Sequence, residues 1–294
     1  MPHIFRTDSF FNENNYISCS LDNQSKYGLK LNKTSDFISN FEAIYVRGPC
    51  FDITIPEVQN IEASKWSRQE SKANLFSIFD SFPGIVLNRP SCSLYSDGKL
   101  SQLRDARSFG LTIPETLVTN NLEELKKFKE KHNLIIFKSM CPPKIKKDGR
   151  LHTIYTNIIS SEMIANKVSL GGNLCFFQEY IPKYVEIRAY VIGDKVLSSE
   201  IHSQNSTKAN IDWRRYDHAN TPYYQHELPV DICDKLIQLN DKYGLLYSAC
   251  DLILTPSGEY YFLEINPDGI FQWIETFTGL PISDEIAKVL ASEQ

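Results

Sequence analysis

Apolar positions along this chain recur at two periods, and the switches between them lay out its elements. Helical spacing holds over Ile61 to Phe82, with Trp66, Ala73, Phe76 and Phe79 predicted on one face. A second helix begins at Asp97 and stops near Phe109, before Gly110. Leu122 to His132 reads as a third, with Thr119 or Asn120 as N-cap and Glu123 and Glu124 in its first turn. Leu228 to Tyr243 is an amphipathic helix closed by Gly244. Closing helices follow at Trp273 to Phe277 and Ile282 to Leu290.

Shorter β-forming runs fall between them. Phe41–Arg47, Ile85–Asn88 and Leu134–Lys138 read as strands, and Leu111–Val118 as a strand broken by Pro114. Cys175–Ile181 precedes a Pro182 turn. Val185–Ile192 alternates strictly, with Glu186, Arg188 and Tyr190 on one face. Lys195–Gln204 carries Glu200, His202 and Gln204 on one face, expected to meet the polar face of its neighbour. Between Ser139 and Arg150 the chain is polar, basic and Pro-broken, which predicts a loop able to cover phosphates.

One hairpin organises the rest. Asp251–Leu254 and Glu259–Ile265 flank the turn Thr255-Pro256-Ser257-Gly258. A turn centred between Ser257 and Gly258 sets Asp251 opposite Glu264, and alternation returns Asn266 to the same face. Two carboxylates that close repel each other unless a cation lies between them. With an amide oxygen added, the set is hard and oxygen-only, as suits Mg²⁺.

Composition narrows the classes. The chain has 294 residues, 42% hydrophobic and 23% charged, with a formal net charge of -5, so bulk positive field for nucleic acid is lacking. No apolar run nears the roughly 18 residues of a membrane span. Seven widely spaced cysteines without a C-x-x-C motif fit reduced thiols in a cytoplasmic protein.

The remaining charges suit a nucleotide. Lys99 and Lys138 can neutralise phosphates from two elements. The extended Gln178-Glu179-Tyr180-Ile181 can hydrogen-bond an adenine edge, and Glu186 the ribose hydroxyls. Arg188 can neutralise charge on a transferring phosphoryl group. No G-x-x-x-x-G-K-[ST] motif is present, which excludes a P-loop.

The order and spacing of Lys99, Lys138, Gln178 to Ile181, Glu186-Ile187-Arg188, Asp251 and Glu264-Ile265-Asn266 resemble the ATP-grasp ligases over residues 85 to 294. Within them the chain is most similar to the graspetide synthetases, peptide macrocyclases of the microviridin type. That likeness rests on Tyr45-Val46-Arg47, Asn88-Arg89-Pro90, the run Leu111 to Asn120, Glu200 to Gln204, Asp212-Trp213-Arg214, Phe262 to Gly269 and the closing Trp273 to Ile282.

The resemblance implies an α/β chain of α+β lobes in an ATP-grasp fold, with a small, shortened N-terminal domain. It divides the chain into 1–95, 96–177 and 178–294, with ATP and Mg²⁺ between the last two. It implies a ribosomally made precursor peptide, leader plus core, as partner, a homodimer, and no nucleic acid or membrane. A peptide Asp or Glu would become an acyl phosphate, then be joined to a Ser or Thr hydroxyl or a Lys amine. Arg188 and Arg214 would be catalytic, Arg214 on the acceptor carboxylate, and His202 or Asp212 would take the proton. The rival readings are a ligase adding an amino acid to a carboxylate and a non-catalytic peptide-binding module.

Overall fold

The computed structural model describes residues 16–24, 27–31, 41–47, 60–140, 144–147, 150–165, 170, 172–215 and 217–292. The expected opening of the N-terminal domain, and Cys141–Pro143 and Asp148–Gly149 of the basic loop, lie outside them.

The N-terminal part begins with an antiparallel hairpin, β1 (Ile17–Leu21) and β2 (Tyr27–Leu31). A parallel pair follows, β3 (Ala43–Tyr45) and β4 (Ile85–Leu87), bridged by α1 (Ile61–Ser81). Asn60 caps α1 by accepting from the Ala63 N–H. The helix α1 buries Leu75 and Phe79, and its Ile78 packs against Leu29, Phe82 and Val86, so of the expected face Phe79 is buried at the C-terminal end. Trp66 is 65% exposed, and a helix drifts in phase over five turns.

Two short helices come next, α2 (Pro90–Ser96) and α3 (Lys99–Ser108). Leu103 and Ala106 of α3 pack into the same core as the late β-ribbon, and Gln102 donates to the Ile265 carbonyl at 3.0 Å. The helix that carries Lys99 is thereby packed against the C-terminal sheet. The run Leu111 to Val118 splits. Thr112 bridges Tyr261, while β5 (Thr116–Thr119) joins another sheet, so Pro114 marks a crossing between sheets.

The central lobe is a four-stranded antiparallel sheet in the order β5, β10 (Cys175–Glu179), β6 (Ile135–Lys138), β9 (Asn157–Ile159). The helix α4 (Leu122–Lys131) packs Leu125 against Ile135 and Phe177, and α5 (Ser161–Ala165) adds Ile164. Its N-cap is Asn121, accepting from Glu123 N–H at 2.9 Å, one residue beyond the expected pair; Thr119 instead accepts from Asn121 N–H. The basic segment forms a hairpin, β7 (Lys144–Lys147) with β8 (Arg150–Thr153), not a loop. The boundary at 177/178 falls inside β10, so the lobe junction lies beyond it, where the chain crosses from Tyr180 to Tyr184.

The C-terminal lobe is a five-stranded antiparallel sheet ordered β13 (Tyr223–His226), β12 (Lys195–Ile201), β11 (Val185–Ile192), β14 (Tyr247–Leu254), β15 (Tyr260–Asn266). All eight residues of β11 are buried, as a central strand covered on both faces requires. The helix α6 (Val230–Tyr243) covers one face with Leu236 and Leu239 and ends at Gly244, whose φ of 66° is the left-handed cap. Two last helices, α7 (Gln272–Thr278) and α8 (Ile282–Ala291), bury Ile274, Ile282 and Ile286 against Tyr190 and Tyr247.

Candidate active site

The ladder sets Asp251 directly opposite Glu264, as expected, but by another route. Leu254 pairs with Tyr260 and Leu252 with Phe262, so the turn pivots on Ser257 rather than between Ser257 and Gly258. That frame continued would set Asp251 against Leu263. Instead the register shifts between Asp251 and Leu252, leaving Leu263 unpaired as a bulge that brings Glu264 into place. Asn266 shares the face and donates from Nδ2 to Asp251 Oδ2 at 3.2 Å and to Glu264 Oε1 at 3.3 Å.

Each acid holds a cation. Arg188 Nη1 reaches both Asp251 oxygens at 2.8 and 2.9 Å, and Lys99 Nζ lies 3.0 Å from Glu264 Oε2. Burial pushes the Asp251 carboxyl up, opposed by Arg188 and reinforced by the Glu264 charge across the ladder. Burial acts on Glu264 too, but Lys99 and Lys138 outweigh it and hold that carboxyl well below the usual range. Two carboxylates this close, one forced up by burial and its neighbour's charge and the other held down only by lysines, suit a divalent cation between them. The oxygens of Asp251, Glu264 and Asn266 fit Mg²⁺, with the Asn266 amide turned to present Oδ1.

A narrow cleft opens between the lobes on one side of this pair. Lys138, Gln178, Glu179, Tyr180, Ile181 and Glu186 all line it, so the structure brings together every residue expected there except Lys99, which meets the site through Glu264. Burial lowers the Lys138 ammonium to about 8, partly countered by Glu264. Gln178 donates to Thr116 Oγ1 at 3.0 Å, leaving its own carbonyl oxygen buried and unpartnered. Glu186 Oε2 and Arg188 Nε are also buried without partners. The two unpartnered acceptors, Gln178 and Glu186, line the cleft and match an amine and a sugar hydroxyl, while Arg188 lines the neighbouring cavity, where its spare donor suits an anion.

A larger cavity of about 510 Å³ opens on the other side, within the range of ligand sites. Its walls include Phe76, Asn88, Leu94 and Trp273, and Asp97 and Asp268 lie along it. The two spaces share Trp213, Arg214, Asp251 and Glu264. Arg214 stands on a single 3-10 turn, Trp213–Arg215, and is gripped by Asp212: Nε to Oδ1 at 2.8 Å and Nη2 to Oδ2 at 2.6 Å. The Arg214 and Thr156 backbone N–H groups add two more donors to Asp212, at 3.1 and 2.9 Å. Although burial opposes it, this grip lowers the Asp212 carboxyl to about 2. Asp212 therefore orients Arg214, with both of its oxygens engaged by that guanidinium.

His202 stands elsewhere. Glu200 pairs with Ile187, not with Glu186, which turns it to the opposite face of the sheet from Arg188. His202 Nε2 bonds Glu200 Oε2 at 2.7 Å and its ring meets Tyr224 edge-on. His226 bonds the other Glu200 oxygen at 2.8 Å. His202 lines neither space, so its expected role as base has no support in the geometry. Alternation along one strand sets its own faces but not their phase against a neighbour.

Residues without an expected role also build the site. Asn88, 3% exposed, accepts from the N–H groups of Leu246 and Tyr247 and donates to the carbonyls of Tyr247 and Pro267, fixing the N-terminal part to the ribbon. Lys183 binds Glu186 and lines the cleft. Gly269 lies so close to Ala249 and Arg188 that any Cβ would overlap them. Lys183, three residues before Glu186, was visible as a spacing; the others depend on contacts distant in sequence.

No protein-family model matches the chain and no curated protein is similar to it. Solved structures are. A Chryseobacterium gregarium RiPP-associated ATP-grasp ligase in complex with ADP and a leader and core peptide is 30% identical, with a TM-score of 0.86, covering 96% of this chain and 86% of its own. The macrocyclase MdnC from Microcystis aeruginosa MRC, bound with precursor peptide MdnA, is 26% identical with a TM-score of 0.83, covering 97% and 89%. The ATP-grasp ligase PsnB, complexed with a phosphomimetic precursor variant, Mg and ADP, is 21% identical at 0.75 and shares the fold. Identity of this level over nearly the whole length, on a fold holding the paired acids, lysines and arginines between two lobes, shows that the chain belongs to the RiPP-associated ATP-grasp ligases, the graspetide synthetase family.

Proposed function

We propose that this enzyme phosphorylates an Asp or Glu side chain of a ribosomally made peptide and closes it onto a Ser or Thr hydroxyl or a Lys amine of the same peptide. The observation that carries the reading is the shared wall: a narrow cleft lined by Lys138, Gln178 to Ile181 and Glu186 and a cavity of about 510 Å³ meet on Arg214, Asp251 and Glu264. Ligands of its relatives agree, with ADP, leader and core peptide in one and a precursor peptide in another.

The adenine edge rests on Gln178 to Ile181, the ribose on Glu186, and the phosphates on Lys138 and Lys99. Asp251, Glu264 and Asn266 would hold Mg²⁺, which neutralises charge on the phosphates and leaves positions for their oxygens. Arg214, held by Asp212 from the cleft side, presents its remaining donors to the acceptor carboxylate, a task suited to a planar guanidinium. A carboxylate oxygen attacks the γ-phosphorus, the bond to the β-phosphate oxygen breaks, and ADP leaves. Arg188, with Nε unspent, stabilises the oxygens of the transferring group. The hydroxyl or amine then attacks the acyl carbon, phosphate leaves with the bonding pair, and the nucleophile loses its proton.

The division 1–95, 96–177 and 178–294 belongs to this reading with its last boundary moved past β10. A homodimer and a cytoplasmic location belong to it on the family resemblance. The five described cysteines are free, and no helix among the described residues is long and apolar enough to cross a membrane.

Intact mass after incubation with MgATP and a Thr/Lys- and Asp/Glu-rich precursor tests the proposal. Loss of one water per bond is expected. A gain of an amino-acid mass would select the rival ligase, and an unchanged peptide with no nucleotide binding the non-catalytic module.

A further inference from the structure

We propose that Lys183 is a positioning residue that gives the cleft its selectivity for ribonucleotides, by pinning one oxygen of Glu186 so that the other is presented to the vicinal hydroxyls of the sugar. The inference rests on the reading of the cleft as an ATP site.

Lys183 and Glu186 are 6% and 7% exposed at their side chains, three residues apart where the chain enters β11. Lys183 Nζ donates to Glu186 Oε1 at 2.6 Å and to the Ile211 carbonyl at 2.9 Å. Two of its three donors are thus spent, and the ammonium is tied to the backbone just before Asp212. Such a cation is badly placed to follow phosphates, which Lys138 and Lys99 meet near Glu264.

Glu186 is asymmetric. Oε1 is paired with Lys183, while Oε2 is buried without a hydrogen bond of normal geometry, the Ser203 hydroxyl being near enough only for a weaker interaction. A buried carboxylate oxygen left unpaired costs free energy, and in a cleft it marks the place of a missing donor. A sugar diol supplies two O–H donors, and a charge-assisted bond to a fixed oxygen is short and strong. The Ser203 hydroxyl adds a smaller favourable interaction than Lys183 does. Without Lys183 the carboxylate would lose its principal counter-charge, and burial already drives it toward the protonated form, which donates where the sugar needs an acceptor. Lys183 acts through Glu186 and touches no reacting atom.

The test is calorimetric titration with Mg²⁺ and either ATP or 2′,3′-dideoxy-ATP, for the wild type, Lys183→Met and Lys183→Arg. The wild type should prefer ATP by about tenfold, the worth of one hydrogen bond to a charged group. Lys183→Met should weaken ATP by about that factor, leave dideoxy-ATP within about twofold, and so erase the preference; Lys183→Arg should keep most of it. An equal loss for both nucleotides, no loss for either, or a wild type without preference overturns the inference while leaving ATP use intact. A wild type binding neither nucleotide instead overturns the ATP reading itself. Should Lys183→Met fail to fold, Lys183→Leu, which also lacks a donor, is titrated against the same criteria.

Discussion

Arg188 closes both carboxylate oxygens of Asp251 with a single nitrogen, at 2.8 and 2.9 Å, across neighbouring strands in the centre of the sheet. The arginine that should face the transferring phosphoryl group is therefore also the structural counter-ion of a candidate metal ligand. Arg188→Met should leave a buried carboxylate unpaired and cost about 3–5 kcal/mol of stability, read by urea unfolding. Asp251→Asn in the same background should return much of that stability without restoring ring formation. A double variant no more stable than Arg188→Met would show that the pair is not what holds this region.

Arg214 should separate binding from chemistry. Its partners are Asp212 and Thr156, not the cleft's sugar and adenine end. Arg214→Ala should fold, bind MgATP as the wild type does, and lose about 10²–10³ in the rate of ring closure. Arg214→Lys should recover little, because a point charge cannot reproduce the fork. Wild-type product yield from Arg214→Ala would remove the assignment.

Asp212 should leave a mark on acid unfolding. Its carboxyl titrates near 2 in the fold and near 3.9 in the unfolded chain. Its contribution, about 2 kcal/mol, is therefore fully present above pH 4 and is lost as pH falls from 4 to 2. Asp212→Asn should be less stable at pH 6 by that order and show a shallower decline across the same window, followed by circular dichroism.

Lys138 should make nucleotide affinity fall in mild alkali. With its ammonium at about 8 in the free enzyme, it is charged below that pH and neutral above it. The dissociation constant for MgATP should therefore rise between pH 7.5 and about 9, and Lys138→Arg, charged throughout, should flatten that rise. An identical profile in the variant would assign the titration to another group.

Gly269 is a test of close approach rather than of backbone freedom. A Cβ there would overlap that of Ala249 and lie 2.8 Å from Arg188 Nη2. Gly269→Ala should lower both stability and activity by displacing Arg188. Gly279→Ala, where φ is +70° but the space is open, should cost about 1 kcal/mol and leave activity unchanged.

The run into Lys138 and the extended Gln178 to Ile181 were legible because each depends on local alternation, whereas the pairing of Asp251 with Glu264 was reached from a turn centred half a residue off and is made by the bulge at Leu263. What was not legible depends on phase between elements. Glu200 and His202 alternate as regularly as Glu186 and Arg188, yet face the other way because Glu200 pairs with Ile187. The packing of the helix that carries Lys99 on the C-terminal sheet was not legible because a helix's neighbours are set by tertiary contacts, here Gln102 with Ile265. The fourfold use of Asn88 joins positions more than 150 residues apart, beyond any local pattern.

The unpaired Leu263 has a consequence for anyone recombining such enzymes. Both acids can be kept, and the turn transplanted whole, while a strand that pairs straight through Leu263 sets that aliphatic chain against Asp251 and turns Glu264 to the opposite, apolar face. The catalytic inventory would look complete on paper in a molecule unable to gather a cation, because part of its information is stored as a count of residues and not as their identities.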